Sequence, residues 1–238
     1  AETTRKLFDA EMAPNVDKWA EQGIVDRDFW REVGEQGVMG GSIAEEYGGF
    51  GGGIGFDALT VYEQGRTGDT GWGYGIQSIV IHYLDAYGSE EQKKKWLPDL
   101  AVAKMVGAFC LTEPEAGSDA ASLKTTAVYD AATDEYVLTG TKQWISNGGF
   151  ARFFTVFARI PEAGIEPGSH REIACFAVVA NEDGTLPGLS RGVEEKKLGL
   201  CGSSTCQIIL DGCRVPAFNI IGGKGNGLGV GGEYLNTQ

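Results

Sequence analysis

The sequence predicts an α+β protein, with a helical N-terminal domain followed by a small antiparallel β-barrel or sandwich domain. Three observations carry that prediction. Apolar residues recur at helical spacing through the first hundred positions. After about Gly107 they gather into short β-rich runs between turn residues. From Gly222 onward glycine dominates. Helices kept apart from strands are the α+β plan. The domains are placed at 1–106 (helical), 107–222 (β) and 223–238, a hinge with the start of a further C-terminal helical domain.

Each element has its own signal. Asp26 stands at an N-cap position before a helix with Phe29, Trp30 and Val33 on one stripe, and Gly34 and Gly37 mark its end. A glycine-rich loop covers 48–55. Phe56, Leu59, Val61 and Tyr62 predict a buried helix, and residues 72–87 predict another. Ser89, Glu90, Glu91 and Gln92 have capping-box spacing, and Pro98 predicts a stop at Leu97. Strands are expected at 136–138, 153–157, 173–179 and 207–210, with turns at Asp134, Asn147-Gly148-Gly149, Asp183-Gly184 and Asp211-Gly212. Residues 228–238 predict the start of another helix. No internal repeat occurs.

Composition narrows the function classes. The 238 residues can bury a substantial core, and no apolar run approaches bilayer-spanning length. The first residues lack the apolar core of a signal peptide. Twenty basic against 33 acidic residues give a net charge of −13, which repels nucleic acid and anionic membrane alike; with no bilayer-spanning run, no membrane insertion is expected. The run Lys93-Lys94-Lys95 beside Glu90 and Glu91 reads as a solvated helix face. Five cysteines without a CxxC pair argue against a disulfide framework or zinc ribbon. Reduced thiols fit a bacterial cytoplasm or a mitochondrial matrix. Two histidines give a His-based metal site little support, and no Gly-x-Ser-x-Gly elbow is present.

Three stretches invite a ligand. Gly227, Gly229 and Gly232 match G-x-G-x-x-G, but no clear βαβ unit surrounds them, so a hinge is the better reading. In 109–119 an apolar run turns at Pro114 and Gly117, leaving the Thr112 and Ser118 hydroxyls and several N–H groups free. Taken alone, that stretch reads more simply as a surface turn. In 142–149 the flat indole of Trp144 precedes Ser146 and a turn. It could stack on a planar cofactor, and alone it reads as a core tryptophan.

Together these stretches resemble the acyl-CoA dehydrogenase family. The resemblance rests on Cys110-Leu111-Thr112-Glu113-Pro114, Gly117-Ser118-Asp119 and Trp144-Ile145-Ser146-Asn147-Gly148-Gly149. Glu46-Tyr47-Gly48-Gly49, Gly88-Ser89-Glu90-Glu91-Gln92-Lys93, Lys197-Leu198-Gly199 and Arg214-Val215-Pro216 agree in order and spacing along nearly the whole chain. Residues 109–122 and 154–158 look nearest to the long- and very-long-chain branch. Ala44 departs from the proline usual before the Glu-Glu-Tyr-Gly-Gly segment.

The resemblance implies a three-domain fold, of which this chain is similar to the first two. It implies FAD as cofactor and α,β-dehydrogenation of acyl-CoA to trans-2-enoyl-CoA. Electrons would pass to electron-transfer flavoprotein, in a homodimer or homotetramer. An oxygen-reacting acyl-CoA oxidase and a non-catalytic assembly or binding partner are the alternatives. Leu111 is expected to offer its N–H, and Thr112 its hydroxyl, to the flavin pyrimidine edge. Phe109 and Ile145 border the ring, Trp144 packs on the face away from substrate, and Ser146 bonds near N5. Gly117 and Ser118 are placed at the pantetheine or pyrophosphate, and Ser203 and Thr205 near CoA. The family's base is a glutamate. The earlier of its two positions falls on Gln238, an amide that takes no proton at neutral pH. The base is therefore expected beyond Gln238, and neither Glu113 nor Glu233 is assigned that role.

Overall fold

The computed structural model describes residues 2–161 and 167–227, which form six α-helices followed by eight strands. Residues 228–238, with the expected helix start, Glu233 and Gln238, lie outside the described residues. α1 (Glu2–Leu7) continues through a π-helical turn and a 3-10 turn into α2 (Val16–Gln22). Then come α3 (Arg27–Glu35), α4 (Ile54–Arg66), α5 (Tyr74–Tyr87) and α6 (Glu90–Ala101). Phe8, Trp19, Phe29, Trp30, Trp72 and Tyr74 form an aromatic core between them.

α3 is the expected helix, but its ends work differently. Asp26 makes no capping bond; its carboxylate accepts from Lys18 Nζ (2.5 Å) and Gln22 Nε2 (2.8 Å) instead. The C-terminal stop is Gly37 alone, at φ +73°. Val38 N–H donates to the Val33 carbonyl (3.0 Å) and Gly37 N–H to that of Gly34 (2.9 Å), a Schellman turn. Gly34 lies inside the helix and marks a close approach, because a Cβ there would sit 2.0 Å from the Val102 carbonyl oxygen.

α4 overturns the expected apolar burial. Val61 and Tyr62 are 50% and 63% exposed, while Asp57, Thr60 and Glu63 face inward. The reason is pairing, since a carboxylate can be buried once its oxygens are satisfied. Glu63 accepts from Arg5 (2.8 Å) and Arg66 (3.0 Å). Asp57 accepts from the Tyr74 hydroxyl and lies 2.7 Å from His82 Nε2.

α6 begins at the predicted capping box: Gln92 N–H donates to Ser89 Oγ (3.2 Å) and Ser89 N–H to Gln92 Oε1 (2.9 Å). Pro98 does not end it. The helix runs on to Ala101, because Leu97, Leu100 and Ala101 bury in the core beneath and outweigh the lost backbone bond.

The strands are β1 (Gly107–Cys110), β2 (Thr126–Asp130), β3 (Glu135–Ser146), β4 (Phe153–Arg159), β5 (Ile173–Val179), β6 (Leu189–Arg191), β7 (Thr205–Pro216) and β8 (Ile220–Ile221). They form one sheet in the order β6-β7-β3-β2-β4-β5-β8, with β1 beside β4. Pairing is mostly antiparallel, as predicted. The exceptions are β1, parallel to β4, and β2, which meets β4 in parallel at Thr126 and Arg159. The sheet curls on itself. Tyr136 on β3 lies 5.1 Å from Phe176 on β5, although three strand spacings, about 14 Å in a flat sheet, separate them. Phe154, Val156 and Ala158 fill the curl, while Phe153 and Phe157 on the other face of β4 meet α5 and α6. Burial on both faces explains why β4 and β5 read as continuous apolar runs rather than alternating ones.

Candidate functional site

The two stretches singled out in the sequence are brought into direct contact. After β1 the chain leaves the sheet at Leu111 and turns at Glu113–Ala116, where the two residues exchange backbone hydrogen bonds. β3 runs alongside and carries one extra residue between Lys142 and Ile145 relative to β7, a β-bulge. At that bulge Gln143 N–H turns away from β7 and donates to the Thr112 carbonyl (2.9 Å). Lys142 Nζ donates to the Leu111 carbonyl (3.2 Å) and to Glu113 Oε1 (2.7 Å).

The bulge also explains Trp144, which is a surface residue and not the core tryptophan its sequence context alone suggests. It is 60% exposed and held at φ +59°. A bulky residue in that left-handed region costs roughly 1–3 kcal/mol. An exposed indole also leaves a large apolar face in water. Beside it, neither the Leu111 nor the Thr112 N–H has an acceptor among the described residues. The site therefore combines a flat apolar face with unfilled donors on half-buried backbone.

The other residues divide by where their side chains go. Phe109 points to the helical side and packs on Phe157 (5.1 Å) and Tyr83 (6.1 Å). Ile145 is buried in the sheet core, which leaves only its backbone available to a ligand. Ser146 is half-buried, in register with Thr205 on β7. Gly117 and Ser118 are exposed on the turn. Thr205 is buried, its N–H on Glu194 (2.7 Å) and its hydroxyl on the Ser203 carbonyl (3.2 Å), so its polar groups are engaged within the loop.

Three residues of the site's framework were given no part in holding it by the sequence. Lys142 is fully buried, a rare state for lysine, and Glu113 nearly so. Burial works against the Glu113 charge, but Lys142 and the donors around it hold the carboxyl below its usual range. Burial draws Lys142 down as well, with Glu113 opposing. An ammonium donating to a carboxylate and a carbonyl at once favours the ionised pair. The third is Asn147, read in the sequence only as a turn. Its side chain donates to the carbonyls of Gly73 and Gly107 (both 3.1 Å), fixing the end of β3 against the helical region and β1. An asparagine followed by two glycines signals a turn. Nothing local signals which distant carbonyls it reaches.

Comparison with known proteins fits this geometry. Residues 1–104 match the acyl-CoA dehydrogenase N-terminal domain and residues 108–213 the middle domain of the same family. A probable acyl-CoA dehydrogenase of Bacillus subtilis is 39% identical over 99% of this chain and 38% of its own length. An acryloyl-CoA reductase (NADH) of Anaerotignum propionicum is 37% identical over 98% of the chain and 57% of its own. The human mitochondrial very long-chain specific acyl-CoA dehydrogenase is 39% identical over 90% and 32%. The acyl-CoA dehydrogenase of Geobacillus kaustophilus superposes with a TM-score of 0.91 at 33% identity, over 98% of this chain and 60% of that one. A chain solved in work on the electron transferring flavoprotein of Acidaminococcus fermentans superposes at 0.88 with 32% identity, over 99% and 60%. A Bacillus anthracis acyl-CoA dehydrogenase complexed with FAD superposes at 0.82 with 33% identity, over 99% and 39%. The chain thus spans about a third to three-fifths of the length of these relatives, and by sequence and fold it belongs to the acyl-CoA dehydrogenase family.

Proposed function

We propose that this chain is the flavin-holding part of an enzyme that desaturates acyl-CoA thioesters to trans-2-enoyl-CoA. One observation carries the reading. The 109–119 and 142–149 stretches are tied together by Gln143 on Thr112 and Lys142 on Leu111, and where they meet stand free N–H donors beside an exposed indole. A planar heteroaromatic ring with acceptors along one edge satisfies both, and the isoalloxazine of FAD is such a ring. Bound FAD would supply the acceptor for the hydride leaving the acyl β-carbon.

The chain's own residues bind and orient that ring. Leu111 N–H and the Thr112 hydroxyl serve its pyrimidine edge, where donors favour the charge gained on reduction. Trp144 covers the face away from substrate, with the Ile145 backbone beside it and Ser146 near N5. Phe109 borders the ring. Gly117 and Ser118 lie toward the pantetheine or pyrophosphate and Ser203 toward CoA, while Thr205, buried and bonded to the Ser203 carbonyl, supports that segment and does not reach CoA itself. Glu113 cannot take the α-proton, because Lys142 and Thr125 already occupy its Oε1 and the Lys124 N–H its Oε2. The base lies outside the described residues. Electron-transfer flavoprotein is the proposed acceptor and a homodimer or homotetramer the proposed assembly, in a bacterial cytoplasm or mitochondrial matrix. No helix among the described residues is long and apolar enough to cross a membrane.

The test is anaerobic titration of the purified full-length protein with saturated acyl-CoAs of graded length. Bleaching of bound-flavin absorbance with formation of enoyl-CoA is the expected result. Peroxide release under air would identify an oxidase. NADH-driven saturation of an enoyl-CoA would favour the direction named for the Anaerotignum relative. Absence of flavin from the full-length protein would overturn the reading.

A further inference from the structure

The buried pair Lys142–Glu113 is built with unusual completeness. Lys142 has no exposed side-chain surface, and Glu113 has 6%. The ammonium donates to Glu113 Oε1 at 2.7 Å and to the Leu111 carbonyl at 3.2 Å. The carboxylate also accepts from the N–H groups of Lys124 (2.6 Å) and Thr125 (3.0 Å) and from the Thr125 hydroxyl. Removing two charges from water is expensive, and such a pair is weak as a device for stability alone. Its position suggests what else it does. The carbonyl that Lys142 holds belongs to the same peptide unit as the Thr112 N–H, which lacks an acceptor among the described residues. A cation on a peptide oxygen polarises the whole unit and makes its N–H a stronger donor. Two residues after Lys142, at the same bulge, comes Trp144.

Building on the flavin reading above, we propose that Lys142, held by Glu113, is a positioning residue for the flavin. It fixes the Leu111–Thr112 peptide, strengthens the Thr112 N–H as a donor to the ring edge, and so raises the cofactor's midpoint potential. It touches neither substrate nor reacting atoms. Glu113 neutralises it, so the charge is retained in the core without repelling the neighbouring backbone donors.

The test uses full-length protein carrying Lys142→Met, and the double variant Lys142→Met/Glu113→Leu, which removes both charges while keeping bulk. Folding is checked by circular dichroism and thermal melting. Flavin affinity is read by fluorescence titration of the stripped protein, and the potential by dye equilibration. In every folded variant the expected results are at least a tenfold weaker flavin affinity and a tenfold weaker preference for the reduced form. The second is a fall of about 30 mV for a two-electron couple. A purely structural pair would leave the potential of the retained flavin unchanged. Wild-type affinity and potential in either folded variant overturn the proposal. Failure of both variants to fold also counts against it, because the pair would then be a folding element. Wild-type protein without flavin would instead defeat the underlying flavin reading, so the two failures are distinguishable.

Discussion

At the scale of single residues, the site shows where the fold accepts local cost. Trp144 sits at φ +59° with most of its ring in solvent. Neither feature helps the isolated chain, and a flat ligand laid on the indole would cover its exposed face. Asparagine tolerates the left-handed region far better than tryptophan. Trp144→Asn in flavin-stripped protein is therefore expected to gain about 0.5–1 kcal/mol in urea unfolding. The same variant should hold flavin more weakly in a fluorescence titration. A loss of stability instead would mean that the indole packs against protein and not ligand. Asn147 is the opposite case: its positive φ of 62° is repaid by two bonds from its amide to backbone carbonyls.

At the scale of elements, contacts between helix and neighbour decide what each position tolerates. Alanine is the better helix former at Gly34 by about 1 kcal/mol. Its methyl would nonetheless meet the Val102 carbonyl at 2.0 Å, and backbone cannot turn aside as a flexible side chain can. Overpacking of this kind costs about 1–3 kcal/mol. Gly34→Ala should therefore destabilise, as a lower denaturant midpoint at unchanged slope. Gln92 joins α6 to the far end of the sheet, since its Nε2 donates to the carbonyls of Phe218 (2.6 Å) and Ile220 (2.8 Å) while its Oε1 completes the capping box. Gln92→Glu keeps a capping-box residue and replaces those two donations with a carboxylate facing two carbonyls. A loss of about 2–3 kcal/mol in chemical unfolding is expected. Wild-type stability would show the helix cap to be the residue's whole contribution.

At the scale of the whole molecule, a buried carboxylate held by half-exposed arginines ties distant parts of the chain together. Glu63 on α4 receives both nitrogens of the Arg5 fork from α1, and Arg66 from its own helix. Hydrogen bonds from Arg5, then from Arg66, outweigh burial and hold its carboxyl down at about 2, against an ordinary 4.5. A carboxyl with a depressed folded pKa contributes stability that is fully present above its unfolded pKa. That stability is lost as pH falls through the folded value. The window is therefore about pH 4.5 down to 2. Glu63→Gln should melt at a lower temperature than wild type at neutral pH, and the gap should close as pH falls through that window. A gap independent of pH would show that the glutamate's charge is not the source. The net charge of −13 keeps self-repulsion in the background at neutral pH.

The sequence by itself determined the family, the succession of a helical part and a strand part, and the two stretches that meet at the site. Those features are local. Capping residues, turn residues and apolar spacing act within a few positions, and Ser89 with Gln92, or the continuous runs of β4 and β5, carry their meaning in place. Tertiary structure decided the rest. Pro98 stayed helical because the core beneath Leu97 and Leu100 outweighed one lost bond, and α4 turned its carboxylates inward because Arg5 and Tyr74 from other helices awaited them. Lys142, read only as the first residue of a tryptophan motif, became a buried cation because Glu113, 29 positions away, was there to receive it. Burying a charge is costly unless a partner receives it, and for Lys142 and Asp57 that partner is far off in sequence. Local pattern therefore gives the elements, while the pairing that builds the site exists only once the chain has folded.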